Sequence, residues 1–125
     1  MMGVTLDAGA LVGIDRNNRA VASIVRRALE TGVTLTVPAG VVGQVWRDGR
    51  RQVRLARLLG SSAVDVEALD DARARAAGQL CGVTRTSDVI DASVVLCARS
   101  RGHAVLTSDV DDLRRLDPSL ELIRV

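Results

Sequence analysis

The chain reads as an α/β sandwich with helices on both faces of a central, mainly parallel sheet, and three observations support that reading. Short apolar runs alternate with helical segments along the sequence, the order that places helices in the crossovers between parallel strands. Residues 88–99 are apolar almost all round (Val89, Ile90, Ala92, Val94, Val95, Leu96, Ala98), as expected of a central buried helix. Aspartates also stand where strands should hand over to helices. Asp7 ends the run Gly3-Val4-Thr5-Leu6, and Asp109 and Asp112 follow Ala104-Val105-Leu106-Thr107.

Taken in order, residues 4–6 form a short buried strand and 8–14 a helical turn, with a break over 15–18. Ala20, Val21, Ile24, Val25, Ala28 and Leu29 then keep the spacing of an amphipathic helix that stops near Gly32. Residues 33–37 alternate like a second strand, and Pro38 suits the first turn of a helix reaching about Arg47. Gly49 separates it from a further helix over 50–59, which Gly60 stops. Residues 63–66 read as a third strand. Leu69, Ala72, Ala76, Ala77 and Leu80 mark a helix stopped by Gly82. After the apolar helix, Gly102 leads into a strand over 103–107, a short helix over 110–116 and a last strand over 120–125. With no linker or repeat, residues 1–125 are expected to form a single domain.

Hydrophobic residues make up 47% and charged residues 26% of the 125, a globular composition. The core must be aliphatic, because Phe and Tyr are absent and Trp46 is the sole aromatic. Asp7 interrupts the start of the chain before an apolar targeting region can form. No run is long enough to span a bilayer, so a cytoplasmic protein without membrane contact is expected. Cys81 and Cys97 lie in apolar helical context without a CxxC or Cys/His cluster, the pattern of buried reduced thiols. His103, alone between a helix stop and a strand, reads as structural.

All 17 basic residues are arginine. The absence of lysine excludes a lysine nucleophile, a Schiff base and a phosphate-binding lysine. It argues against a response-regulator receiver. It argues equally against a haloacid-dehalogenase-type phosphatase, which would also carry an aspartate where Gly9 stands. No GxxxxGK[ST] or GxGxxG motif occurs.

In open α/β sheets, sites form beyond the carboxyl ends of the strands, where Asp7 and Asp109 fall. Asp88 and Asp91, three apart, share a face in the first turn of the apolar helix, and Asp112 lies one helical turn beyond Asp109. Two carboxylates about 5 Å apart repel by about 3 kcal/mol at an effective dielectric near 20. Convergence therefore demands protonation or a cation. Oxygen ligands without His or Cys select Mg²⁺ or Mn²⁺, ions that can activate water against a phosphodiester without a side-chain base. Structural roles compete with this one. Asp88 can cap its helix, Asp109 can cap the helix after Thr107-Ser108, and Asp112 can be a solvated charge.

The pattern resembles the PIN-domain ribonucleases, especially the VapC-like toxins of toxin–antitoxin pairs. The matching segments are Leu6-Asp7-Ala8, Val37-Pro38-Ala39 with Gln44-Val45-Trp46-Arg47, Ile90-Asp91-Ala92-Ser93-Val94, and Leu106-Thr107-Ser108-Asp109-Val110-Asp111-Asp112-Leu113. The resemblance implies a three-layer α/β/α PIN-like domain, RNA cleavage dependent on Mg²⁺ or Mn²⁺, homodimerisation and inhibition by a cognate antitoxin protein. Carried over by position, it makes Asp7, Asp91 and Asp109 metal ligands and Asp112 a further acidic member of the catalytic set, with Gln44, Asp88 and Thr107 accessory. Two departures bear on activity. Gln44 stands where the family usually has glutamate, and Gly9 where a small hydroxyl residue is common. Asp48, placed one turn beyond Gln44 on the same helix, is a candidate to replace the missing charge.

Arg47, Arg50, Arg51, Arg54 and Arg57 cluster around the helix after Gln44, and Arg50, Arg54 and Arg57 are expected to share one face. Such a stripe can contact RNA phosphates, dock an acidic partner or simply be solvated. With Trp46 the only aromatic, base stacking contributes little. The rival to a ribonuclease is a PIN-like domain with weakened catalysis that acts by binding RNA or protein, and Gln44 is the residue that favours it.

Overall fold

A computed structural model describes residues 3–125. Its strands are β1 (Gly3–Leu6), β2 (Thr34–Pro38), β3 (Val64–Glu67), β4 (Ala104–Thr107) and β5 (Leu122–Arg124). They form one sheet in the order β3-β2-β1-β4-β5, and every pairing is parallel. The helices are α1 (Ala8–Asp15), α2 (Arg19–Glu30), α3 (Ala39–Val45), α4 (Val53–Leu59), α5 (Asp71–Thr84), α6 (Val89–Arg101) and α7 (Val110–Leu116). The architecture is the expected α/β/α sandwich. Helix α1 packs with α2 and α4 in one layer, α6 lies over β1, β2 and β4 with α5 and α7 beside it, and α3 bridges α1 and α6.

The core is aliphatic. Leu6, Leu11, Leu35, Leu55, Leu106, Leu113, Val37, Val41, Val94, Val95 and Val105 are fully buried, each contributing about 1.5–3 kcal/mol through transfer from water. Helix α6 is central, with Asp91 through Val95, Cys97 and Ala98 buried. Cys81 and Cys97 are buried free thiols. His103 is structural in the way its isolation suggested. Its Nδ1 lies 3.2 Å from Thr5 Oγ1, and its ring fills the space that a Cβ on Gly3 would need.

Helix ends differ from expectation at three places. Helix α3 stops at Val45, with Trp46 in extended backbone (ψ 131), and α4 starts at Val53 rather than at residue 50. The Gln52 side chain explains both. Its Oε1 accepts from Arg47 N at 2.7 Å and Asp48 N at 3.0 Å, while its Nε2 donates to Val45 O at 2.9 Å. It thus holds the intervening segment as a turn. Asp48 consequently lies off α3 and caps this turn through Arg50 N at 3.0 Å, so it does not stand in for a charge at Gln44. Helix α5 runs through Gly82 to Thr84 and is ended by Arg85, whose φ of 59 and ψ of 42 are left-handed.

Candidate active site

The sheet order fixes where a site can form. The connections from β1 run one way through β2 to β3, whereas β4 and β5 lie on the other side of β1. The reversal falls between β1 and β4, and a crevice opens at the carboxyl ends of strands flanking such a point. Asp7 directly follows β1 and Asp109 follows β4 by two residues. Helix α6 joins β4 through a tight turn at Gly102 (φ 66), and so runs back along the sheet. Its first turn, with Asp88 and Asp91, therefore arrives at the same edge.

Asp7 is 1% exposed. Its Oδ1 accepts from Ala8 N at 2.7 Å and its Oδ2 from Thr107 Oγ1 at 2.8 Å. The Thr107 hydroxyl also accepts from Asp109 N at 2.8 Å, tying the ends of the two strands together. Asp91 is 9% exposed, and its backbone N–H donates to Asp88 Oδ1 at 2.9 Å. Asp88 is thus an N-cap, as one of its two readings held. Asp109 and Asp112 are exposed. Asp109 occupies the N-cap position of α7 but makes no capping bond through its side chain.

The electrostatics show that these acids share one field. Burial raises the Asp7 carboxyl above its ordinary range, against the hydrogen bonds from Ala8 and Thr107, and repulsion by Asp109 and Asp88 adds to the rise. Asp91 is pushed up to about 7 by burial, then by Asp88, Asp7, Asp109 and Asp112. Within 4 Å none of these five acids has an arginine partner among the described residues.

The acids approach one another without forming a finished cage. No three acidic, cysteine or histidine side chains among the described residues are gathered as a ready metal cluster. A cavity of about 480 Å³ is lined by Asp88, Asp91 and Asp112 with Arg85 and Arg115. Asp109 instead borders a second cavity, with Gly9, Arg16 and Ser108. The donor set still suits a hard divalent cation. It is all oxygen, it carries uncompensated negative charge, and Mg²⁺ keeps several waters and needs only one or two carboxylates.

The remaining predicted residues are more dispersed. Gln44 is exposed on α3, and its amide makes no hydrogen bond among the described residues. It lies one turn beyond Gly40, where the side chain of Ile90 on α6 occupies the space a Cβ would need, so α3 approaches the first turn of α6. The arginine stripe does not exist as one face, because Arg50 precedes α4. Arg47 Nη1 donates to Gly43 O at 3.0 Å and Trp46 O at 2.7 Å, and Arg50 pairs with Asp48 at 3.6 Å. Arg54 and Arg57 join Arg26 around a largely apolar cavity of about 600 Å³ lined by Ile14, Val25, Leu29 and Leu58.

Sequence reasoning did not single out Arg85, Arg115 or Ser108. The first two become visible only when the end of α5 and the outer face of α7 meet at the acidic cavity. Ser108 explains Gly9, since its side chain fills the position a Cβ at residue 9 would take.

No family model matches the chain, and no curated protein matches it either. Solved structures do. A chain of VapBC2 from Rickettsia felis, crystallised with a DNA fragment from the promoter, superposes with a TM-score of 0.71 at 14% identity, covering 99% of both chains. A chain of FitAB bound to an IR36 DNA fragment gives 0.68 at 13% identity, covering 97% of this chain and 94% of the other. A chain of FitAcB from Neisseria gonorrhoeae gives 0.68 at 14%, covering 97% and 96%. The fold is shared with them. The likeness extends over nearly the whole chain. No described helix is long and apolar enough to cross a membrane.

Proposed function

We propose that this chain is a metal-dependent endoribonuclease of the PIN-like, VapC type, held in check by a cognate antitoxin protein. The observation that carries the reading is the set of five acids at the sheet's switch point, two of them buried and none, among the described residues, within 4 Å of an arginine. Asp7, Asp91 and Asp109 would hold Mg²⁺ or Mn²⁺, with Asp112 adding negative charge nearby. A bound ion would supply Lewis acidity towards a phosphodiester and lower the pKa of a water. The chain's own part is orientation. Thr107 holds the Asp7 carboxylate and the Asp109 backbone in one arrangement, and Asp88 holds the first turn of α6.

The antitoxin part of the proposal is supported by the fold's likeness to chains of VapBC and FitAB complexes. The apolar cavity between α2 and α4, rimmed by Arg26, Arg54 and Arg57, offers such a partner an amphipathic seat. A homodimer in the cytoplasm belongs to the same proposal, and light scattering on the isolated chain tests the dimer.

A second reading, a PIN-like module that binds RNA or protein with weakened cleavage, is favoured by the unbonded, exposed Gln44 and the open arrangement of the acids. Incubating RNA with Mg²⁺, Mn²⁺ or EDTA, beside Asp7→Asn, separates the two. Metal-dependent cleavage lost in the variant supports the enzyme. RNA binding without cleavage in any metal supports the module.

A further inference from the structure

The acidic cavity contains two arginines that the acids do not neutralise. Arg85 and Arg115 line it together with Asp88, Asp91 and Asp112, yet neither makes an ion pair among the described residues. Both are exposed. They reach the cavity from different elements, Arg85 from the end of α5 and Arg115 from the last turn of α7.

The backbone at Arg85 sharpens the point. It closes α5 in the left-handed region, with φ 59, and the Thr86 N–H returns to Cys81 O at 3.0 Å. Glycine is the residue that fits this closing position without strain, and Gly102 plays that part at the end of α6, with φ 66. For folding alone, glycine would serve better at 85. An arginine there places a guanidinium beside the carboxylates at some cost in backbone strain.

We propose that Arg85 and Arg115 grip backbone phosphates of a single-stranded RNA and position it across the acidic cavity. The inference rests on the ribonuclease reading and names the substrate contacts of that site. A guanidinium presents a planar fork to phosphate oxygens, and two of them offset the repulsion that the acids exert on an incoming strand. The arginines near α4 are less suited. Arg47 is bonded to backbone carbonyls, Arg50 is paired with Asp48, and Arg54 and Arg57 border an apolar cavity.

The test uses the full chain with Arg85→Gly, Arg85→Lys and Arg115→Gln, and Arg27→Gln, at an exposed position in the last turn of α2, as control. Binding of a fluorescein-labelled, mixed-sequence single-stranded RNA is followed by anisotropy in EDTA across a salt series, and cleavage of the same RNA is followed in Mn²⁺. Arg85→Gly and Arg115→Gln are each expected to lower the slope of log affinity against log salt by about 1. KM should rise several-fold with kcat changed far less. Arg85→Gly should keep or raise Tm while binding weakens, a combination that a purely structural role does not produce. Arg85→Lys should restore part of the binding, and Arg27→Gln should match wild type. If wild type cleaves but the slope and KM of both variants stay unchanged, the inference is overturned and the enzyme stands. If wild type neither binds nor cleaves RNA, the ribonuclease reading falls and this inference with it.

Discussion

Two groups of acids in this molecule are treated in opposite ways. On the β3 side, Glu67 is paired with Arg73 at 2.9 Å and Arg101 at 3.1 Å, and Asp65 with Arg101 at 3.0 Å. Asp117 is paired with Arg99 at 3.0 Å. At the carboxyl ends of β1 and β4, by contrast, Asp7, Asp88, Asp91, Asp109 and Asp112 have no such partner among the described residues. Arginine is not scarce, since the chain has 17 basic residues, and two arginines line the same cavity as three of the unpaired acids. The first group neutralises its charge within the fold. The second has no ion-pair partner among the described residues, as the proposed cation site would require.

The largest expected effect separating the two groups is on stability. Asp91 ionises near 7 in the fold, against an ordinary value of 3.8. Between those values the native chain holds a proton that the unfolded chain has released. Metal-free stability is therefore fullest below the ordinary value and falls as pH rises through about 7. Asp91→Asn should remove that loss, gaining on the order of 4 kcal/mol at most above pH about 8. Urea melts across a pH series check it, and a variant as pH-sensitive as wild type would break the contrast.

Next comes Thr107→Val, which deletes the hydroxyl that orients Asp7 and Asp109. It should lower metal affinity and cleavage by about 10- to 100-fold, read by Mn²⁺ titration and RNA cleavage. On the paired side, Glu67→Gln leaves Arg73 and Arg101 without their shared carboxylate and should cost about 1–2 kcal/mol in thermal melts. It should leave metal affinity unchanged. The smallest effect is expected from Gln44→Glu, which adds a charge on the helix that approaches α6. It should improve metal affinity several-fold, and an unchanged affinity in calorimetry would remove position 44 from the site.

The sequence disclosed the fold because its strands are short apolar runs and its central helix is apolar nearly all round, signals that survive without tertiary information. It disclosed the candidate acids because strand ends can be read along the chain. It did not disclose where helices end when a distant or unusual group decides. Gln52 delays α4 by bonding back to Val45, Arg47 and Asp48, and Arg85 rather than Gly82 closes α5. The arginine stripe failed for the same reason, since Arg50 leaves the helical face once the turn extends to Gln52. Nor could the sequence show that Ser108 occupies the room beside Gly9, a contact between residues far apart along the chain.

The central claim is that the unpaired acids hold a divalent cation, and calorimetric titration of Mn²⁺ into the chelator-treated chain tests it most directly. Wild type should bind saturably. Asp7→Asn and Asp91→Asn, both folded by circular dichroism, should bind far more weakly, and Glu67→Gln should bind as wild type does. Absence of saturable binding in wild type, or equal binding in Asp7→Asn and Asp91→Asn, would contradict the account.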